Sequence, residues 1–141
     1  MLCYNCRVGT DLLFSSQAGG VNLLTFSYQR PISELPEASL YYLDDAMLFF
    51  DIETTGLSSS RNRIYLVGLG WLDGDQITVR QYLAENAGDE ASVLQETLAL
   101  ASDERFAKLI TFNGTTFDLP FFKKRCDVHT AAPSDAFSVL C

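Results

Sequence analysis

The residues best suited to chemistry end an apolar run, in the segment D-I-E-T-T-G-L at residues 51–57. Residues two apart on a strand share a face, so Asp51 and Glu53 can point the same way. Two adjacent carboxylates repel each other and are costly to desolvate. A divalent cation removes that cost, and Mg²⁺ and Mn²⁺ prefer such oxygen ligands. The segment predicts a metal site, the alternative being two solvated acids at a strand end.

A second polar segment, F-N-G-T-T-F-D-L-P-F-F, covers residues 112–122. A short strand before it delivers Asn113 to the end of the sheet, and Asp118 falls in the first turn of a following helix. Because the ends of neighbouring central strands gather at one site, Asp118 is placed to add a third carboxylate. The alternative for Asp118 is an ordinary acid at a helix N-terminus, where the helix dipole favours it.

The elements that position these groups follow from the apolar pattern. They are predicted in the order strands 47–52, 64–72 and 76–83, helix 88–103, strand 108–112, helix 117–125 and strand 136–140. Asp73-Gly74-Asp75 is a hairpin signal, so the first three strands form an antiparallel meander. A crossover through a helix makes the next strand parallel to a neighbour. This order predicts an α/β fold with a mixed sheet.

Two details concern the second helix. Thr115 or Thr116 is predicted to cap its N-terminus. For the three phenylalanines of this segment, core packing is the favoured interpretation, and stacking on a terminal base by one of them is the alternative. They are Phe117, Phe121 and Phe122.

The front of the chain has a weaker pattern. Residues 1–45 show little periodicity and are punctuated by Gly19-Gly20, Pro31 and Pro36. We predict an irregular N-terminal lead over residues 1–45, with one short strand near residues 21–28. The folded domain is predicted over residues 46–141.

Composition limits the class of function. The net charge is −8, which argues against binding of nucleic acid by a broad basic surface but not against an enzyme whose metal ions supply local positive charge. The longest apolar run, residues 64–72, is too short to span a bilayer, and no basic-then-apolar leader is visible at the start. A cytoplasmic protein without membrane partners is therefore expected.

The four cysteines give one further pattern. Cys3 and Cys6 form a C-x-x-C pair, which could be half of a zinc site. Cys126 and Cys141 do not repeat that spacing. Reduced thiols are the favoured interpretation.

Together the two polar segments resemble the first and second motifs of the DnaQ-like (DEDD) 3′–5′ exonucleases. The chain is most similar to the YprB-like ribonuclease H-like family. There the first motif is followed by a strand like I-Y-L-V-G-L-G and then an R-Q-Y segment, found here at residues 64–70 and 80–82. The resemblance covers about residues 47–126. It implies a ribonuclease H-like fold.

The resemblance also implies a two-metal phosphodiesterase that uses two Mg²⁺ or Mn²⁺ ions. Asp51 would bind both ions, Glu53 would hold the ion near the attacking water, and Asp118 would hold the other. The implied substrate is the 3′ end of single-stranded DNA or RNA. Its implied contacts are Thr54, Thr55, Gly56, Leu57 and Asn113, with Phe117 as the candidate for base stacking.

The chain departs from the family after the second motif. The third motif carries a His or Tyr shortly before a fourth Asp, tens of residues further on. His129 and Asp135 are six apart and come too early, so a loop histidine is the favoured interpretation of His129. The domain is therefore expected to be C-terminally incomplete, and weakly active or inactive as it stands.

Two other functions compete with the exonuclease. A strand entering D-x-E-x-T resembles the opening of haloacid-dehalogenase-type phosphatases, where an Asp is the covalent nucleophile. That family has a second Asp where this chain has Glu53, and it does not predict the second polar segment. The other competitor is a non-catalytic nucleic-acid-binding or interaction module that kept the fold.

Overall fold

The computed structural model describes residues 12–18 and 21–129, which build one six-stranded sheet in the order β1-β2-β5-β4-β3-β6. The strands are β1 Leu12–Ala18, β2 Val21–Pro31, β3 Met47–Thr54, β4 Ile64–Asp73, β5 Gln76–Ala84 and β6 Lys108–Ile110. The helices are α1 Glu37–Leu40, α2 Glu90–Ala101 and α3 Asp118–Val128, with short 3₁₀ turns at Ile32–Glu34 and Ala87–Asp89.

The centre of the sheet has the predicted topology. Strands β3, β4 and β5 pair antiparallel, and Gly74 between β4 and β5 has the positive φ of 65° that a tight hairpin favours. Strand β6 lies parallel to β3, with Phe49 beside Ile110, after the crossover through α2. An antiparallel meander followed by a helix and a parallel strand is the arrangement predicted for a ribonuclease H-like α/β fold, which is thereby confirmed.

The N-terminal region differs from its prediction. Strands β1 and β2 form an antiparallel hairpin, and β2 pairs with β5 from Leu23 beside Ala84 to Pro31 beside Gln76. The prediction of an irregular lead is therefore wrong for these residues, although the short strand near residues 21–28 is confirmed and is longer than predicted. The edge of β5 that does not face β4 supplies the backbone partners of β2, and a local sequence pattern cannot reveal such a long-range pairing. The sequence between the two strands, Gly19-Gly20, is itself a hairpin signal.

The hydrophobic core lies on one face of the sheet, under α2 and α3. Leu48, Phe50 and Ile52 alternate along β3 and are buried, as the two-residue period of a strand requires. The ring of Phe50 meets that of Phe122 edge to face, with centroids 5.4 Å apart, so α3 is packed directly on β3. The buried residues of α2 are Glu90, Val93, Leu94, Thr97, Leu98 and Ala101. The same alternation directs Asp51 and Glu53 to the opposite face.

The connection from β6 to α3 also departs from the sequence prediction. The strand ends at Ile110 rather than at residue 112, and α3 begins at Asp118 without a side-chain cap. The hydroxyl of Thr116 instead donates to the backbone and side-chain oxygens of Asn113, at 3.0 and 2.8 Å. The hydroxyl of Thr116 is therefore engaged within the 113–116 turn, and the prediction that it caps the helix is wrong. The strand predicted over residues 136–140 lies outside the described residues.

The described residues contain no helix whose length and apolar character would let it cross a membrane.

The buried thiol of Cys126 gives a first testable prediction. Burial, and next the charge of Asp127, raise the pKa of Cys126 to about 12. Because the thiolate is the reactive form, native Cys126 should be alkylated at pH 8 on the order of 10³-fold more slowly than an ordinary cysteine. Peptide-resolved mass spectrometry after iodoacetamide treatment measures this, with the urea-unfolded chain as the control. Rapid alkylation in the native state would contradict the packing of α3.

Candidate active site

The first part of the site is the C-terminal end of β3. Asp51 and Glu53 are exposed there, and Ile52 between them is buried on the core side. The pairing of β3 with β4 shifts register between Glu53 and Thr54. Such bulges bend a strand and redirect its side chains, and they are over-represented beside active sites. The two acids therefore project from one face just where the strand begins to turn.

The 55–63 loop that follows is held by its own hydrogen bonds. The backbone N–H of Thr55 donates to the carbonyl of Arg63 at 2.9 Å, and the hydroxyl of Thr55 accepts from the N–H of Arg63 at 3.1 Å. Asn62 lies so close to Gly56 that a Cβ there would come within 2.8 Å of its side chain. Leu57 at the tip is 86% exposed. Hydrogen bonds between Thr55 and Arg63 thus close the loop at its base. The loop presents its backbone and the side chain of Leu57 beside the two acids.

Thr54, the last residue of β3, is hydrogen-bonded to the same loop. Its hydroxyl donates to the carbonyl of Gly56 at 3.0 Å. Thr54 and Thr55 therefore both use their hydroxyl oxygens to shape the loop, which leaves their contact with a substrate as a prediction.

The third acid, Asp118, lies in the first turn of α3, four residues before the core residue Phe122. Its side chain is buried, with the residue 6% exposed. Burial raises the pKa of Asp118, and the negative charges of Asp51 and Glu53 raise it further, while its own backbone N–H opposes them. The charges of Asp51 and Glu53 thus both act on Asp118, the third acid that the sequence singled out.

The charge around these acids is unbalanced within the described residues. No lysine, arginine or histidine of that part forms an ion pair with Asp51, Glu53 or Asp118. Nor are three or more His, Cys, Asp or Glu side chains of that part already arranged as a metal-binding group. Like charges that lie near one another disfavour the ionised form of each, and a bound cation removes that penalty. The donor set suits Mg²⁺ or Mn²⁺, and shared coordination by the three acids stays a prediction.

Asn113 and the two neighbouring aromatic residues complete the second segment. Asn113 has a positive φ of 59°, a conformation that asparagine tolerates better than most residues. Phe117 is half-buried, with its ring 5.4 Å from that of Phe121. Phe112 is 92% exposed. Ile110 pairs with Phe49 in the parallel register of β6 and β3, and Phe112 and Asp51 each lie two residues beyond these partners. Phe112 is therefore a candidate contact residue that the sequence analysis missed.

The turn between β6 and α3 depends on Gly114, which gives a second prediction. A Cβ on Gly114 would overlap with the side chain of Thr111, whose hydroxyl accepts the Gly114 N–H at 3.2 Å. The carbonyl of Gly114 in turn accepts the N–H of Leu119 at 2.9 Å, in the first turn of α3. Gly114→Ala should therefore destabilise the fold by about 1–3 kcal/mol.

Urea unfolding measures this effect, with Gly68→Ala as the matched control. Gly68 lies on β4, and a Cβ there would meet nothing within 4 Å. Equal stability of the two alanine variants would mean that the 111–114 turn is not as tightly packed as described.

The remaining candidate that the structure describes, His129, contacts a different carboxylate. His129 follows the last turn of α3, where its ring contacts the buried carboxylate of Glu90 at 2.8 Å, so the prediction of a simple loop histidine is wrong. Cys3, Cys6 and Asp135 lie outside the described residues. Glu90 was missed by the sequence analysis because an acid in the first turn of a helix already has a local explanation.

The family comparison decides the class of this domain. Residues 48–140 match the family model described as RNase_H superfamily. The chain belongs to the RNase_H superfamily. The phosphatase alternative is thereby excluded, and a nucleic-acid-related nuclease class is indicated for the domain.

A match to one curated protein identifies a group within this superfamily that the chain resembles. This RNase H-like chain is 38% identical over 85 residues to Uncharacterized protein YprB of Bacillus subtilis (strain 168). The matched region covers 60% of this chain and 20% of the relative, so the chain spans about a fifth of the length of that protein. The predicted membership of a YprB-like group of RNase H-like proteins is confirmed.

Proposed function

We propose that this RNase H-like domain is a divalent-metal-dependent 3′–5′ exonuclease acting on single-stranded DNA or RNA. The observation that carries the proposal is the buried carboxylate of Asp118, whose pKa is raised by burial and by the charges of Asp51 and Glu53. Structural ion pairs combine opposite charges, whereas this cluster combines like charges on two different elements. Such clusters are a recognised mark of functional sites.

The three acids would hold Mg²⁺ or Mn²⁺. Bound there, the metal would supply positive charge for the attacking and leaving oxygens of a phosphodiester. Asp51 and Glu53 come from a rigid strand, and Asp118 comes from a helix packed on that strand through Phe122. Ligands on packed elements hold their relative positions better than ligands on loops.

The terminal nucleotide is proposed to lie between the 55–63 loop and the turn that follows β6. Leu57 and Phe112 present exposed apolar side chains on these two segments, and Asn113 presents an amide beside Phe112. An exposed aromatic ring stacks on any base, so this arrangement suits a substrate of variable sequence.

Replacing Phe112 tests the stacking contact. Phe112→Ala should weaken binding of a single-stranded oligonucleotide by about 1–3 kcal/mol, the usual contribution of one base stacked on an aromatic ring. Fluorescence anisotropy with a labelled strand measures the affinity. Tyr41→Ala is the matched control, because Tyr41 is 82% exposed and precedes the other end of β3. An equal affinity of both variants would remove Phe112 from the substrate path.

The reaction itself is tested with end-labelled DNA and RNA strands in Mn²⁺, Mg²⁺ or a chelator. A 3′–5′ exonuclease converts a 5′-labelled strand into a ladder of shorter products and releases a labelled mononucleotide from a 3′-labelled strand. Cleavage that survives the chelator, or that starts from the 5′ end, would contradict the proposal. Strand binding without any cleavage would support the non-catalytic module instead, and the relative extents with DNA and RNA identify the substrate.

A further inference from the structure

One carboxylate that does not belong to the group of Asp51, Glu53 and Asp118 is more deeply buried than Asp118. Glu90, the first residue of α2, is 1% exposed. Its Oε1 accepts the N–H of Ile64 and the Nε–H of Arg125, both at 2.8 Å. Its Oε2 accepts from Nη2 of Arg125 at 2.6 Å and from Nε2 of His129 at 2.8 Å. Both oxygens of Glu90 are therefore used twice.

These contacts keep Glu90 ionised in the core. Burial by itself raises the pKa of Glu90, but the hydrogen bonds from Arg125, the N–H of Ile64 and His129 outweigh burial and leave it lowered. The guanidinium of Arg125 meets the carboxylate with two parallel hydrogen bonds, the strongest and most directional form of such a pair. The two side chains thus form a fixed junction.

The junction holds both segments of the proposed site. Ile64 follows directly on the 55–63 loop, and Nη1 of Arg125 donates to the carbonyl of Ser59, in the middle of that loop, at 3.1 Å. Arg125 also belongs to α3, whose first residue is Asp118. Glu90 therefore connects the loop behind Asp51 and Glu53 to the helix that carries the third acid.

We propose that Glu90 and Arg125 are positioning residues that fix the 55–63 loop relative to Asp118, and so set the spacing of the acids for metal binding. The metal-binding part rests on the proposed function. Neither residue is assigned contact with a substrate. A purely structural ion pair would stabilise the fold without ordering the loop.

The two roles can be separated because a buried ion pair can often be replaced by apolar residues of similar size without loss of stability. The double variant Glu90→Leu with Arg125→Met fills the space with apolar side chains and removes the hydrogen bonds to Ile64 and Ser59. Its matched control is Glu96→Leu with Lys124→Met, which removes exposed charges from the same two helices. All proteins are the full chain.

Amide hydrogen exchange of the metal-free proteins is the first measurement. The amide of Thr55 is decisive, because it is bonded to Arg63 and does not touch Glu90 or Arg125. We expect exchange at Thr55 to be about 10–100-fold faster in the Glu90/Arg125 variant than in the parent, with amides of β5 unchanged. Unchanged exchange at Thr55 in a folded variant would overturn the proposal, as would an equal increase throughout β5.

Calorimetric titration with Mn²⁺ is the second measurement. Displacing a residue that orients metal ligands usually weakens affinity by about 10–100-fold, and this is the loss expected for the Glu90/Arg125 variant but not for its control. Full Mn²⁺ affinity with fast exchange at Thr55 would contradict the link between loop and acids. Failure of the parent to bind Mn²⁺ would contradict the proposed function, while the exchange data would still decide the role in ordering the loop.

Arg125→Lys covers the case in which the apolar pair does not fold. A lysine keeps the charge beside Glu90 but cannot bond both carboxylate oxygens and the carbonyl of Ser59 at once. It should therefore retain the fold and still show faster exchange at Thr55. Parent-like exchange in this variant would overturn the proposal.

Discussion

Asp51→Asn is expected to lower metal-dependent phosphodiester hydrolysis on the order of 10³-fold or more, the usual cost of removing a central catalytic group. The amide keeps the size of the side chain and removes the charge that would face the metal. Asp51 is exposed, so the free energy of unfolding should change by less than about 0.5 kcal/mol. Rates of mononucleotide release from a 3′-labelled strand, together with urea unfolding, measure the two quantities.

The matched control is Asp45→Asn. Asp45 is also exposed and lies two residues before the start of β3, so the substitution makes the same chemical change near the opposite end of that strand. Its rate should equal that of the parent. Comparable rates for all three proteins would show that Asp51 takes no part in hydrolysis and that any activity arises elsewhere.

What the sequence could predict was set by short-range periodicity. Asp51 and Glu53 are two residues apart on a strand whose alternate residues are buried, so their common exposed face follows from strand geometry alone. The crossover from β5 through α2 to β6 follows from the order of the elements, and it brings Asp118 to the same end of the sheet. The exposed pair of acids and the position of Asp118 at the start of the next helix could therefore be predicted from the sequence, and their joint role in metal binding stays a prediction.

The junction around Glu90 could not be predicted in this way. Its partners Ile64, Arg125 and His129 lie 26, 35 and 39 residues away along the chain. No periodic pattern connects such positions, and each residue alone has an ordinary explanation on its own element. The side-chain pairing depends on how α2 and α3 pack together, which is a property of the tertiary structure.

The aromatic residues of the second segment show a related limit. Phe112 and Phe117 are equally apolar, and the sequence favoured core packing for Phe117, with stacking on a terminal base as the alternative. The early end of β6 and the positive φ of Asn113 leave Phe112 exposed, whereas the start of α3 turns Phe117 toward Phe121. A difference of one or two residues in the boundaries of elements decided which ring faces solvent.

Asp118→Asn is expected to make the metal-free protein more stable at neutral pH. The raised pKa of Asp118 means that the folded state holds this proton to higher pH than the unfolded chain does. The stabilising contribution of that proton is complete below the ordinary value of 3.8 and is lost as pH rises through the folded pKa. At neutral pH the buried carboxylate is thus repelled by Asp51 and Glu53, and an amide of the same size removes that cost.

The stability advantage of Asp118→Asn should shrink as pH falls toward 3.8, where the parent carboxyl also becomes neutral. Urea unfolding of the two metal-free proteins across this pH range measures the difference in stability.

Mn²⁺ should make the parent more stable than Asp118→Asn at neutral pH, because a cation turns the repulsion among the acids into attraction. At a free Mn²⁺ concentration of 100 times Kd, binding adds about 2.7 kcal/mol to the parent, or about 10 °C in Tm for a domain of this size. Differential scanning calorimetry with and without Mn²⁺ should show this increase in the parent and in Asp127→Asn, an exposed control on the same helix, but not in Asp118→Asn. An equal increase in all three proteins would place the metal away from Asp118, since a cation cannot be bound by a carboxylate that has been removed.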